Sequence, residues 1–324
     1  MAYNLKKIMV ERDAKFSQGH RMCAGCGVPV VVQMILRAVK PKDHVVVANA
    51  TGCLEVSSTI YPYTSWETSY IHTAFASASA TLSGVEAALK KRKEEIKKNN
   101  QEMQDVKLIA FGGDGGTYDI GIQSLSAAME RGHDLTYVCY DNGGYMNTGI
   151  QRSSATPIFA STTTSPIGTQ KLGKMESRKD LTSIMVTHNI PYVAQTAAYK
   201  NFKDLYEKSE KAIYTEGAKF INVFAPCPRG WGYSEELLMK INALAVETCY
   251  WPLYEVVNGV YRITYKPAKK LPIEEFLRPQ KRFKHLFKPE NQHLIQIMQK
   301  EVDRRWNKLL LLEKMTNLET NIEI

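Results

Sequence analysis

The 324-residue chain has no run of about 18 apolar residues, so no transmembrane helix is expected. Its first residues, Met1-Ala2-Tyr3-Asn4-Leu5-Lys6-Lys7, lack an apolar segment followed by a small-residue cleavage site. A secretory signal is therefore not expected, and the default compartment is the cytoplasm. No internal repeat and no recognisable nucleic-acid motif occurs. Cysteine is scarce, and six in an intracellular chain read as thiols or ligands rather than disulfides. Acidic residues are outnumbered, 33 against 42 lysines and arginines, which leaves a formal charge of +9. Such a charge could suit nucleic acid, a membrane surface or an acidic protein. Much of it lies in Lys90-Lys91-Arg92-Lys93, Lys97-Lys98 and the tail 266–288, which read as solvated faces and subunit contacts. Hydrophobic content of 44% and charged content of 23% are ordinary for a globular chain, here long enough for a substantial core and one or two domains.

Hydrophobic patterning then divides the chain. A glycine-rich turn leads into a helix over 28–39, and a buried strand over 45–50 ends at Thr51-Gly52-Cys53. Small residues over 73–89 suit a tightly packed helix, and 90–104 a solvated helix end and connection. A strand over 106–111, a helix over 120–131 and a strand over 135–140 form a βαβ unit, so a parallel sheet flanked by helices is expected, an α/β fold. In such sheets ligands gather at the carboxyl ends of strands. Thr51-Gly52-Cys53, Gly113-Asp114-Gly115 and Asp141-Asn142-Gly143-Gly144 all fall on that edge. Residues 157–174 read as a long loop, which inside a compact domain is usually functional. Helices are expected over 181–190 and 202–216, and a strand over 220–224 that ends at Ala225-Pro226-Cys227-Pro228. Residues 1–250 read as one domain. Residues 251–324 read as a lysine- and proline-rich extension ending in a helix over 292–312.

Two constellations carry chemistry. A diphosphate held through magnesium needs hard oxygen ligands in near-octahedral arrangement. Asp114 offers a carboxylate between Gly113 and Gly115, which let the backbone approach phosphate. Asn142, 28 residues on at the next strand end, offers an amide oxygen, and the Gly144 carbonyl a third ligand. Gly-Asp-Gly alone is a common turn. Paired with Asn142 across one βαβ unit, it resembles the thiamine diphosphate fingerprint. Asn147, the candidate catalytic residue, and Thr148 follow closely enough to reach a bound cofactor or substrate.

The second constellation is Cys23-Ala24-Gly25-Cys26. Cys-x-x-Cys supplies two ligands of an iron–sulfur cluster from one turn. Cys53 and Cys227, each at a strand end beside Gly or Pro, are natural third and fourth ligands. Cys139 lies inside an apolar strand and reads as a core residue, and Cys249 reads as structural. Four-cysteine zinc has the same ligand set, and a thioredoxin-like redox pair the same spacing, so the spacing cannot choose among them. A neighbouring thiamine site favours the cluster, because structural zinc could not accept electrons. His20 and His72 read as hydrogen-bonded structural histidines rather than catalytic ones.

Together, Gly19-His20-Arg21-Met22-Cys23-Ala24-Gly25-Cys26-Gly27, Ala50-Thr51-Gly52-Cys53, Gly113-Asp114-Gly115-Gly116-Thr117-Tyr118-Asp119-Ile120-Gly121 and Tyr145-Met146-Asn147-Thr148-Gly149, with Ala155-Thr156-Pro157 and Ala225-Pro226-Cys227 downstream, resemble one family. It is that of the β-subunits of multi-subunit pyruvate:ferredoxin oxidoreductases, among the 2-oxoacid:ferredoxin oxidoreductases. The resemblance implies the diphosphate-binding thiamine fold and a [4Fe–4S] cluster on Cys23, Cys26, Cys53 and Cys227. It also implies Mg2+ on Asp114, Asn142 and the Gly144 carbonyl, with Thr51, Gly52, Gly113, Gly115 and Thr148 around thiamine diphosphate. Asp141 before Asn142 is a small departure that leaves the metal ligand intact. The implied reaction converts pyruvate, coenzyme A and oxidised ferredoxin to acetyl-CoA, carbon dioxide and reduced ferredoxin. The implied partners are an α-subunit supplying the glutamate that faces the cofactor's pyrimidine, a γ-subunit and a cluster-bearing δ-subunit. Other readings are the same chemistry on a branched-chain 2-oxoacid, 2-oxoglutarate or oxalate, a non-redox thiamine enzyme, and a zinc-stabilised structural protein.

Overall fold

The computed structural model describes residues 5–319, so the expectation drawn from the N-terminal residues lies largely outside it. Apolar runs bounded by turns form the strands: β1 His44–Ala50, β2 Ser69–Thr73, β3 Val106–Gly113, β4 Thr136–Asp141, β5 Tyr192–Ala197, β6 Lys219–Phe224, β7 Leu253–Val257 and β8 Val260–Tyr265. They form one sheet in the order β2-β1-β3-β4-β6-β5-β7-β8. The first six strands in that order pair in parallel, and β5–β7 and β7–β8 are antiparallel. The helices are α1 Leu5–Glu11, α2 Val28–Arg37, α3 Cys53–Ser58, α4 Ala78–Lys98, α5 Ile122–Glu130, α6 Leu181–Val186, α7 Lys203–Tyr214, α8 Pro228–Trp231, α9 Leu238–Glu247, α10 Ile273–Leu277 and α11 Gln292–Glu319.

Strand pleating sends alternate side chains to opposite faces, and the helices cover both. Val45, Val47, Phe111, Val138, Tyr140 and Val223 face α2 and α7. Ala48, Ala50, Ala110, Cys139 and Phe220 face α4, α5, α6 and α11. Parallel strands buried on both faces need such continuous apolar runs, which is why β1, β3, β4 and β6 were legible. A third core of Trp231, Trp251, Phe224 and Phe276 joins α8–α11 to the end of β6.

The expected helix over 73–89 starts only at Ala78 and continues to Lys98, because 69–73 pair with β1 as an edge strand. Beyond position 250 the chain forms β7 and β8, so the sheet runs on past that point, and α11 packs on β8. Within the basic tail, Arg282 and His285 are buried rather than solvated. Among the described residues, no helix is long and apolar enough to cross a membrane.

Candidate functional site

β1, β3, β4 and β6 are consecutive and parallel, so their carboxyl ends stand side by side. The chain leaves those ends at Thr51, Asp114, Asn142 and Ala225. A cleft opens there, lined by Thr51, Gly52, Cys53, Gly113, Gly115, Asn142, Gly144, Asn147 and Thr148 together with Phe75, Gly116, Tyr140, Tyr145 and Met146. The residues expected around a diphosphate thus share one cleft, with Asp114 fully buried at its floor.

Two glycines in the turn that follows β3 are required by shape. A Cβ on Gly115 would stand 2.4 Å from the Tyr145 ring, and one on Gly121 2.3 Å from the Gly116 carbonyl oxygen. After Asp114 the chain takes a π-helical turn, Gly115–Ile120, closed by Gly121 N–H donating to that same carbonyl at 2.7 Å. Such wide turns often mark functional positions.

Asp114 accepts from the Asn142 amide N–H at 3.1 Å and from the Ser153 hydroxyl at 2.5 Å. Burial, and next the Asp141 carboxylate, push its carboxyl up from 3.8 to about 8. The Asn142 side-chain amide fits in two senses. With nitrogen inward it donates to the Gly144 carbonyl at 2.9 Å and to Asp114 Oδ1 at 2.8 Å. With oxygen inward, three oxygens converge at those same separations. Neighbouring ligands of an octahedral Mg2+ at 2.0–2.1 Å lie roughly 2.9 Å apart, so this donor set fits that ion.

The floor is braced from behind. Asp141 accepts from Tyr118 and from Arg178, each at 2.6 Å, and from Gly143 N–H at 3.1 Å. Arg178 is buried and stacks over the Trp251 ring at 4.8 Å. The Trp231 indole donates to the Asn142 carbonyl at 2.6 Å, and Arg282 lies 3.9 Å over that indole. Thr156 donates to the Gly143 carbonyl at 2.7 Å. Lys174, buried, donates to the carbonyls of Thr156 at 2.6 Å and Ser154 at 3.2 Å.

Beside the cleft, Cys23, Cys26, Cys53 and Cys227 come together. Cys26 feels the other three thiols, Cys53 those of Cys227 and Cys23, and Cys227 that of Cys23, and all four are free. Gly25 and Gly27 permit this approach: their added Cβ atoms would fall 2.5 Å from the Glu235 backbone and 2.8 Å from the Pro226 ring. Burial, the largest cause, pushes Cys26 and Cys53 up to about 12 and raises Cys227. Backbone amides oppose it: Val28 N–H at Cys26, the N–H of Cys53 at its own sulfur, and Gly230 N–H at Cys227 Sγ, 3.3 Å. Amide donors favour thiolates, so the donor set fits a centre of soft, anionic sulfur ligands. Among the described residues, no three His, Cys, Asp or Glu side chains are grouped closely enough to hold one metal ion. Tetrahedral zinc would need sulfurs roughly 3.8 Å apart. A cluster spreads its thiolates further, since irons and sulfides lie between them.

Cys139 and Cys249 are buried in apolar cores away from this group. Asn147 is exposed at the cleft mouth, and Thr148 donates to Gln151 at 2.5 Å. His72 bonds the Thr51 hydroxyl at 2.8 Å, whereas His20 stacks on Phe16 with centroids 5.4 Å apart. Sequence reading missed Ser153, Arg178, Tyr118 and Trp231. They reach the site across 23 to 89 positions of chain, and the only local hints were that Tyr118 falls within the Gly113–Gly121 stretch and Ser153 just before Ala155-Thr156-Pro157.

A family model described as the thiamine pyrophosphate enzyme C-terminal TPP-binding domain matches residues 50–223, the class that the fold and cleft define. The chain is 48% identical to pyruvate synthase subunit PorB of Thermotoga maritima over 98% of each chain. It is 52% identical to the subunit of that name from Methanocaldococcus jannaschii, over 91% of this chain and 96% of that one. Among solved structures, it resembles a 2-oxoglutarate:ferredoxin oxidoreductase of Magnetococcus marinus. That match has TM-score 0.55 and 26% identity, over 67% of this chain and 69% of that one. The chain belongs to the PorB family of pyruvate synthase subunits.

Proposed function

We propose that the chain is the β-subunit of a pyruvate synthase, oxidising pyruvate with coenzyme A to acetyl-CoA and carbon dioxide and passing electrons to ferredoxin. The observation that carries the reading is the adjacency of two donor sets, three converging oxygens and four thiols, along neighbouring strand ends of one parallel sheet. In this reading Asp114, Asn142 and the Gly144 carbonyl hold Mg2+. Gly113 and Gly115 admit the diphosphate, Thr51, Gly52 and Thr148 line its approach, and Asn147 at the mouth faces the substrate. Thiamine diphosphate, when bound, supplies the electron sink for loss of carbon dioxide. Cys23, Cys26, Cys53 and Cys227 would hold a [4Fe–4S] cluster, which would supply one-electron acceptance beside the cofactor.

The protein's own contribution is rigidity and charge. Ser153, Trp231 and the Asp141–Arg178 pair hold the metal-binding turn in one geometry before the cofactor arrives. The pyrimidine-facing glutamate comes from an α-subunit, γ- and δ-subunits complete a cytoplasmic complex, and the segment 251–324 contributes subunit contacts. Purified alone, the chain should reduce no viologen dye with pyruvate and coenzyme A; co-purified with its partners, it should. Robust turnover by the chain alone would refute the shared site. The solved relative named for 2-oxoglutarate makes that substrate the second reading, and comparing kcat/KM for the two acids separates them.

A further inference from the structure

The Tyr140 hydroxyl is buried at the carboxyl end of β4 and has no hydrogen-bond partner among the described residues. A buried hydroxyl left unpaired is destabilising, so an orphan at a site calls for a ligand. Its position is specific. Tyr140 lines the cleft with Asn142 and Gly144, and a Cβ on Gly52 would stand 2.9 Å from its oxygen. Only glycine before Cys53 therefore admits the phenol there. Cys53, the next residue after Gly52, lines the same cleft as Tyr140, which puts its thiol on the hydroxyl's side of the site. The ring is held by the core that also packs Val138 and Phe111, and a Cβ on Gly113 would stand 3.1 Å from it.

We infer that Tyr140 is a positioning residue whose hydroxyl donates a hydrogen bond to the Cys53 sulfur when that sulfur is a cluster ligand, raising the potential at which the cluster accepts an electron. The inference rests on the ligand set given under Proposed function. A donor to a ligating thiolate stabilises the more negative, reduced cluster over the oxidised one, and hydrogen bonds to sulfur are among the factors that set such potentials. The group lies between the two donor sets, where electrons would leave the cofactor. It leaves the cluster's composition unchanged and acts only on its driving force.

The test uses the full-length chain with its cluster reconstituted. Iron and sulfide analysis of the wild type comes first. If the wild type holds no cluster, the ligand set fails and this inference fails with it. Tyr140→Phe then removes a single oxygen. The expected result is wild-type iron and sulfide content and unchanged affinity for thiamine diphosphate with Mg2+. The potential, read by titration of the reduced-cluster electron paramagnetic resonance signal, shifts negative. An intact cluster at the wild-type potential overturns the inference. Weaker cofactor binding with no shift in potential also overturns it, by assigning the hydroxyl to the diphosphate. If Tyr140→Phe fails to keep its iron, 3-fluorotyrosine at position 140 is the second variant. As a more acidic donor of nearly the same shape it shifts the potential positive, and no shift overturns the inference.

Discussion

Replacing Asp114 by asparagine should stabilise the cofactor-free protein while abolishing its cofactor binding. In the folded chain, burial and the Asp141 carboxylate hold the Asp114 carboxyl protonated up to about pH 8, against 3.8 when unfolded. Between those values the native state carries a proton that the unfolded state has released. Stability therefore falls as pH rises from about 4 to 8. Each pH unit in that window contributes about 1.4 kcal/mol, so the loss by neutral pH is on the order of 4 kcal/mol. Asp114→Asn can still accept from Asn142 N–H through its amide oxygen, and its amide nitrogen can donate to the Ser153 hydroxyl oxygen, without the ionisable proton. Its urea stability should match wild type near pH 4 and exceed it progressively up to pH 8. Mg2+ and thiamine diphosphate should bind wild type with release of close to one proton at pH 7, falling away above pH 8, because ligation requires the carboxylate. Calorimetry in two buffers of different ionisation enthalpy counts that proton. Parallel pH–stability curves for the two proteins would refute the assignment of a strained, metal-seeking carboxylate.

Three further outcomes test other parts of the site. Cys53→Ala should lose the brown colour and the iron, whereas Cys139→Ala, in the core, should keep both and lose about 1–2 kcal/mol of packing. Equal cluster loss would refute the ligand set. Asp141→Asn and Arg178→Met should each destabilise the chain by about 3–5 kcal/mol, by stranding a buried charge. The double variant should recover much of that loss, and additive denaturation energies would refute the coupling. Gly115→Ala, whose Cβ would collide with the Tyr145 ring at 2.4 Å, should weaken thiamine diphosphate binding at least about tenfold, or about 1.4 kcal/mol. Unchanged affinity would mean that the cofactor does not pass that wall.

The parts of the fold that a reader could find in the sequence are those in which one property repeats locally. Val45, Val46 and Val47, or Leu108, Ile109 and Ala110, are buried on both faces of a parallel sheet, so their strands stand out as apolar runs. β5 is buried just as completely, but Gln195 and Thr196 interrupt it. They are tolerated because Gln195 bonds Thr182 and the Pro252 carbonyl, partners that no local pattern displays. β2 is an edge strand with exposed Ser69 and His72, and the β7–β8 hairpin hides in a charged tail because Glu255 is neutralised by Lys211 and Arg262. The same holds at the site. Asp114 and Asn142 were legible because a βαβ unit fixes their separation, and the cysteines because two share a turn. Ser153, Arg178 and Trp231 act through tertiary contacts whose spacing no motif constrains.

The β4 strand explains why Asp141 can precede Asn142 without disturbing it. Successive residues of a strand face opposite sides of the sheet. Tyr140 therefore points toward the α2 face, where Cys26 and Met22 also pack, while Cys139 points into the opposite core. Asp141 shares the side of Cys139 and meets Tyr118 and Arg178 there. Asn142, just past the strand end, stands at the boundary and closes the oxygen set with Asp114 and Gly144. Three consecutive residues thus serve three environments: the thiol side, the buried ion pair and the turn at Asp114. A one-residue slip of β4 against β3 and β6 would exchange the first two and bring a carboxylate beside the four thiols. The register Gly113 with Tyr140 and Asp141 with Phe224 is therefore what keeps the thiol group apart from the Asp141 charge. It is enforced by the same apolar side chains that made these strands readable.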